Sequence, residues 1–110
     1  MPGTTIGRGN ILYHFMMAPA LTPVAVLQAT AAEQSFTIPG LVVGDYVNGN
    51  LTSGTQTAGI GIVNMRVSAA NTLTIAFSNS TAGSLTPAAG VYTVNVCRPE
   101  SVQNLPTNAS

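Results

Sequence analysis

Charged side chains are scarce in this sequence. Only three basic and three acidic residues occur among its 110 residues, and the formal net charge is zero. Globular domains usually contain roughly a quarter charged residues. Without lysine or a basic patch, the sequence has no electrostatic footprint for nucleic acid. Low charge also leaves little repulsion between neighbouring molecules, which favours a protein that works within an assembly over a small neutral secreted domain.

The residues that most often carry chemistry are scarce as well. A single cysteine, Cys97, excludes an internal disulfide. A single histidine, His14, together with scattered carboxylates provides no metal-ligand cluster. A nucleophile pair of Cys97 and His14 would need both side chains to meet in space, and no orienting partner is evident. Asp45 follows Gly44 and is interpreted as a turn residue that caps its own backbone. We therefore expect no enzymatic activity, no cofactor and no metal.

Apolar residues make up 45% of the chain, but no apolar run is long enough to span a bilayer, so we expect no membrane partner. Their clearest pattern lies in residues 59–77. Leu73, Ile75 and Phe77 alternate with small residues, two threonines and an alanine, and this period of two predicts a strand. Residues 68–71 fit a hairpin loop, because Asn71 tolerates a left-handed backbone. Upstream, Ile62 is out of phase, which predicts either a bulge or a covering by another part of the chain.

Further segments of alternating character are separated by polar, glycine-rich loops. Strands are predicted at residues 24–32, 35–38, 45–48 and 90–97, with turns at 39–40 and 44–45 and loops at 49–58 and 78–89. About six or seven strands at this spacing, without a helical period, indicate an all-β fold: a small antiparallel β-sandwich or barrel. The predicted core consists of Phe36, Ile38, Leu73, Ile75, Phe77, Tyr92, Val94 and Val96.

Residues 1–22 admit two interpretations. Glycine and proline argue against a helix, yet the apolar side chains are too numerous for a solvated tail. The segment is either a first strand, at residues 11–16, or an extended arm that lies across a neighbouring subunit. We assign the sandwich domain to residues 23–99 and an irregular C-terminal tail to residues 100–110.

Three stretches of the sequence occur in a distinctive order. The first is SFTIPGL at residues 35–41, followed by Gly-Asp at 44–45. The second is RVSAANTLTIAF at 66–77, and the third is TPAAGVY at 86–92 with VCRP at 96–99. In this order they resemble small structural proteins of tailed bacteriophages, of the capsid cement or decoration kind. The resemblance implies a jelly-roll-like β-sandwich that binds the outside of the capsid as a small homo-oligomer, a dimer or a trimer, and reinforces the shell. Its implied partner is the major capsid protein, and it carries over no catalytic residue.

The candidate interface follows from the arm interpretation and from the ends of strands. Its apolar members are Ile6, Ile11, Leu12, Tyr13, Phe15, Met16 and Met17. We expect attachment to depend on apolar contacts and backbone hydrogen bonds and not on ion pairs. The candidate exceptions are Arg66 and Arg98, each at the end of a predicted strand where it could form a bidentate pair with a carboxylate of the partner. The alternatives are a phage fibre or tail component, or a carbohydrate- or surface-binding β-sandwich module. The absence of tryptophan disfavours the carbohydrate-binding module, since such modules usually present aromatic platforms.

Overall fold

Seven antiparallel strands form two packed sheets in the computed structural model, which describes residues 10–100. The strands are β1 Ile11–Met17, β2 Ala20–Leu21, β3 Thr30–Thr37, β4 Tyr46–Leu51, β5 Ile60–Ala69, β6 Thr72–Asn79 and β7 Gly90–Pro99. In the four-stranded sheet, β7 is central, with β1 and β2 along one side and β4 along the other. In the three-stranded sheet, β6 lies between β3 and β5. The predicted β-sandwich is confirmed.

The two central strands supply most of the core. The alternating residues of β6 and β7 that were predicted to be buried are at most 1% exposed: Leu73, Ile75, Phe77, Tyr92, Val94 and Val96. The rings of Phe77 and Tyr92 meet edge to face across the two sheets, 6.2 Å apart at 76°, which is a favourable aromatic geometry. Ile38 is also buried, whereas Phe36 is only half-buried because β3 is an edge strand.

The β5–β6 hairpin explains the phase break at Ile62. The register shifts between Ile62 and Asn64, so Ile62 pairs with Phe77 and packs on the core, while Asn64 pairs with Ala76 on the other face. Of the two explanations considered, the structure therefore has the bulge. The turn is tighter than predicted, since β5 extends to Ala69 and β6 begins at Thr72. Asn71 has the predicted left-handed backbone, with φ of 58°.

Residues 11–17 form a strand of the sandwich. β1 pairs with β7 from Ile11 to Met17, with one irregularity at Leu12. The first-strand interpretation of this segment is confirmed, and the arm interpretation is wrong for these residues. The rest of the predicted arm, residues 1–9, and the predicted tail from residue 101 onwards lie outside the described residues.

Several predicted strand boundaries are wrong. The strands expected at residues 24–32 and 35–38 form one strand, β3, which begins only at Thr30, because Ala29 has a left-handed backbone with φ of 50°. The last strand continues beyond residue 97 to Pro99. The short strand expected to end at Asn48 continues to Leu51. Gly49 permits this extension, because a side chain there would collide with the Thr93 carbonyl oxygen on the neighbouring strand.

The two predicted turns are found. Gly40 and Gly44 both have φ of 102°, a backbone angle that residues other than glycine rarely adopt. Asp45 caps the second turn as expected: its Oδ2 accepts a hydrogen bond from the Val42 N–H at 3.0 Å. At the opposite end of the sandwich, the Tyr92 hydroxyl donates to the Ala88 carbonyl at 2.6 Å, so the buried phenol is hydrogen-bonded.

Candidate binding surface

The structure divides the apolar residues of the candidate interface into three groups. Ile6 lies outside the described residues. Four side chains of β1 remain more than half exposed: Ile11, Leu12, Tyr13 and Met16. Phe15 and Met17 are half-buried and pack against the core, so they contribute to the fold rather than to an exposed surface. Phe15 lies opposite Val96 on the inner face of the sheet, and alternation places Met16 on the outer face. Tyr13 has the same orientation as Phe15 but is exposed at the end of the sandwich, beside Arg98.

Arg98 is bound within its own chain. Its Nε and Nη2 donate to the two carboxylate oxygens of Asp45 at 2.8 and 2.9 Å, and Nη2 also donates to the Gly40 carbonyl at 2.8 Å. The guanidinium carbon lies 5.8 Å from the ring centroids of Tyr13 and Phe15, within cation–π range. This corrects the expectation that Arg98 binds a partner carboxylate, because the bidentate geometry is already satisfied by the β3–β4 turn.

Arg66 is likewise paired inside the chain. Its Nε and Nη2 donate to the two carboxylate oxygens of Glu33 at 2.8 and 2.9 Å. The pair spans the outer face of the three-stranded sheet, because Glu33 lies beside Ala76 and Arg66 beside Thr74 on the central strand. Thr74 and Ala76 are buried on this face. Because Glu33 already binds Arg66 in a bidentate manner, the expected pair between Arg66 and a partner carboxylate is corrected, as it was for Arg98.

Both acidic partners have lowered pKa values. The hydrogen bonds from Arg98 are the main cause for Asp45, with further contributions from the Val42 N–H and the arginine charge, and burial opposes them. The hydrogen bonds from Arg66 likewise lower the pKa of Glu33. The Asp45 side chain is only 1% exposed, whereas that of Glu33 is 42% exposed. We therefore expect the Arg98–Asp45 pair to matter far more for stability, because solvent screens the exposed pair.

The outer face of the four-stranded sheet is uncovered in the described part of the chain. Three strands contribute to it in rows: Tyr46, Cys97 and His14 lie side by side, and the next row is Asn48, Asn95 and Met16. We call this surface the outer sheet face, and it comprises His14, Met16, Tyr46, Asn48, Asn50, Thr93, Asn95 and Cys97. None of these eight residues is Lys, Arg, Asp or Glu. Met16 and Tyr46 are 66% and 63% exposed.

His14 and Cys97 do meet in space. They lie directly opposite each other on β1 and β7, although they are far apart in the sequence. The imidazole Nε2 forms a 2.6 Å hydrogen bond with Asn95 Oδ1. Within residues 10–100, no hydrogen bond joins the imidazole to the half-exposed Cys97 thiol. The arrangement therefore orients the imidazole along the sheet and does not place it as a base on the sulfur.

A second exposed apolar group lies at the end of the sandwich where Arg98 binds Asp45. Val42 and Val43, in the turn before Asp45, are 48% and 56% exposed, and Tyr13 lies beside the Arg98 guanidinium. The described chain also begins and ends here, since the Glu100 N–H donates to the Asn10 carbonyl at 2.8 Å. Exposed apolar side chains are thus present at this end of the molecule as well as on the outer sheet face.

A shallow groove runs between β4 and β5, the neighbouring edge strands of the two sheets. Its wider parts have volumes of about 300 and 380 Å³. Tyr46 and Val63 lie at one end, and Leu51, Gln56 and Ile60 at the other. The residues that line it are uncharged, so it extends the neutral character of the outer sheet face onto this flank.

Sequence reasoning missed several members of this surface. Tyr46, Asn48 and Asn95 were placed on strands, but nothing in the sequence says which face of a sheet is covered. The sequence did contain a signal for Val42 and Val43, because two adjacent β-branched apolar residues between two turns cannot both reach the core.

The described residues contain no group of three or more His, Cys, Asp or Glu side chains that could hold a metal ion.

The described segment also contains no helix with the length and hydrophobicity needed to cross a bilayer. No family model matches the chain, and no curated protein or solved structure is significantly similar to it.

Proposed function

We propose that this protein is a non-enzymatic virion structural protein, a cement or decoration protein that binds the outer surface of a tailed-bacteriophage capsid. One observation carries the proposal. The outer sheet face has no formally charged residue among its eight members and exposes Met16 and Tyr46 to more than 60%. Isolated exposed apolar residues are normal on protein surfaces, but a sheet face that lacks charged residues and exposes large apolar side chains is typical of a binding surface.

The composition of the whole chain supports the same proposal. Six charged side chains in 110 residues give a freely dissolved protein little protection against association. Four of them form internal ion pairs: Glu33 with Arg66, and Asp45 with Arg98. A protein that functions while bound to a neighbour does not need a charged surface to prevent association. The resemblance of three stretches to capsid cement proteins points the same way.

Mechanistically, the sandwich acts as a rigid block that bridges neighbouring capsid subunits. A ligand that binds only one state of an equilibrium stabilises that state in proportion to its concentration and affinity. A cement protein that binds the assembled shell and not free capsid subunits therefore favours the shell. Many symmetric copies multiply a modest contact energy per copy into a large total.

The first test measures the protein composition of purified particles. Virions of the bacteriophage whose genome encodes the chain are purified, and the ratio of this chain to the major capsid protein is measured by quantitative mass spectrometry. A fixed ratio that reflects the capsid symmetry supports the proposal. Recovery of the chain only from the soluble lysate, with none in particles, contradicts it.

A second candidate is a carbohydrate-binding module of a fibre or tail. The observation that favours it is the groove between β4 and β5, where the exposed Tyr46 ring lies near the amides of Asn48 and Asn64. An aromatic ring beside amide groups is a common arrangement for recognising a sugar. A glycan array tests this candidate: saturable binding that is lost on Tyr46→Ala supports it, and an array without binding contradicts it.

A further inference from the structure

β1 is an edge strand with one free side. Its other side pairs with β7, and among the described residues no strand pairs along the free side. The Tyr92 N–H donates to the Pro19 carbonyl at 3.0 Å, in the same register that joins Met17 to Val94. Because hydrogen-bonded pairs alternate along an antiparallel ladder, Tyr13, Phe15 and Met17 bond to β7. The N–H and C=O groups of His14 and Met16 therefore point away from the sheet.

This edge lacks the usual protection against pairing. Natural edge strands are commonly protected by lysine, proline, inward-pointing charges, short length or a bulge. β1 is seven residues long, ILYHFMM, with no charged residue and no proline. Its single irregularity lies at Leu12, near one end, and leaves residues 13–17 in regular register. The edge is thus a template for another strand.

We propose that a second copy of this chain pairs with β1 along this edge, antiparallel and about a twofold axis. The strand is uncharged, so self-pairing brings no like charges together. A twofold axis closes the assembly at two copies, since each edge satisfies the other. The two four-stranded sheets become one continuous sheet, and the two outer sheet faces become one surface of twice the area.

The contact is smaller than a standard interface. A standard stable interface buries roughly 800 Å² per partner, and a seven-residue edge with its flanking side chains provides less than this. We therefore expect a dimer that dissociates on dilution. The pairing requires no capsid, so it can fail or succeed independently of the proposed function.

The test is sedimentation equilibrium of the purified full chain over a wide concentration range. The expected result is a reversible monomer–dimer equilibrium. Met16→Pro removes an N–H that points to the free side and costs no bond to β7, and it should abolish the dimer while circular dichroism shows the fold intact. Met16→Lys, which retains that N–H, should weaken dimerisation at least about tenfold by placing a charge at the edge.

Two controls separate edge pairing from general effects. Met16→Thr keeps the N–H and a good strand former and should still dimerise. Thr37→Lys places the same charge on the exposed edge strand of the other sheet and should also still dimerise. A chain that stays monomeric at every concentration, open-ended polymers instead of dimers, or a dimer unaffected by both Met16→Pro and Met16→Lys would overturn the proposal.

Discussion

The Arg98 guanidinium binds the Asp45 carboxylate through hydrogen bonds of 2.8 and 2.9 Å at the end of the sandwich. This single contact joins the end of β7 to the turn that precedes β4, and the rings of Tyr13 and Phe15 on β1 lie against the same guanidinium. Two strands and a turn therefore meet at one ion pair. The position of the exposed apolar residues around this end depends on it.

The first prediction concerns the stability that this pair contributes. Asp45→Asn keeps the shape of the side chain but removes the charge, and the Asp45 carboxyl is almost completely buried. Hydrogen bonds to charged groups are worth about 1.5–3 kcal/mol, and we expect a loss of that order in the free energy of unfolding. Urea denaturation followed by circular dichroism measures it. Glu33→Gln, which breaks the exposed pair with Arg66, is the matched control and should cost much less. Equal losses for both variants would refute the assignment.

The second prediction concerns acid. Because Arg98 lowers the pKa of Asp45 in the folded state, the unfolded chain takes up a proton more readily than the folded chain. The stabilisation is therefore complete above the ordinary aspartate pKa of about 3.9 and is lost as the pH falls through the lower folded value. Denaturation midpoints measured from neutral pH downwards should stay level and then fall in this acid range. The decline should be smaller in Asp45→Asn; an identical decline in the variant would rule out Asp45 as its source.

The strands were predictable to different degrees for physical reasons. β6 and β7 were assigned correctly because their large apolar residues alternate and face one core, so the sequence itself shows a period of two. The start of β3 was not, because Ala29 adopts a left-handed backbone that alanine rarely adopts. No feature of the neighbouring sequence predicts this conformation of Ala29.

The candidate surface was harder to predict than the fold. Each ion pair joins residues far apart in the sequence, 33 positions for Arg66 and Glu33 and 53 for Arg98 and Asp45. Both arginines therefore looked free for a partner. The exposure of Met16 and Tyr46 depends on which face of a sheet is covered, and alternation gives two faces without saying which is inner.

The third prediction concerns the contribution of β1 to the fold. Deletion of residues 1–17 removes β1, uncovers one side of β7 and takes Phe15 and Met17 from the core. We expect the truncated chain to lose its cooperative thermal transition in circular dichroism. Deletion of residues 1–9 alone removes no described pairing and serves as the control. A cooperative transition near that of the full chain after the longer deletion would show that β1 is dispensable.

The fourth prediction concerns salt. Since both arginines of the candidate interface are paired internally, binding to the shell should depend on apolar contacts and neutral hydrogen bonds. Ion pairs between exposed groups are screened at about 1 M salt, where the screening length is roughly 3 Å. The amount of this chain on purified particles, quantified on a gel after washing, should therefore stay constant up to that concentration. Release at high salt would mean that ion pairs dominate the attachment.

The outer sheet face is the centre of this account, and binding of variants to capsid shells that lack the chain tests it most directly. Tyr46→Lys places a charge on that face, and Thr37→Lys places the same charge on the other sheet. Co-sedimentation should show saturable binding of the unmodified chain, unchanged binding of Thr37→Lys, and binding at least about tenfold weaker, or about 1.4 kcal/mol, for Tyr46→Lys. Binding of Tyr46→Lys that equals that of the unmodified chain, or no binding of the unmodified chain at all, would contradict the account.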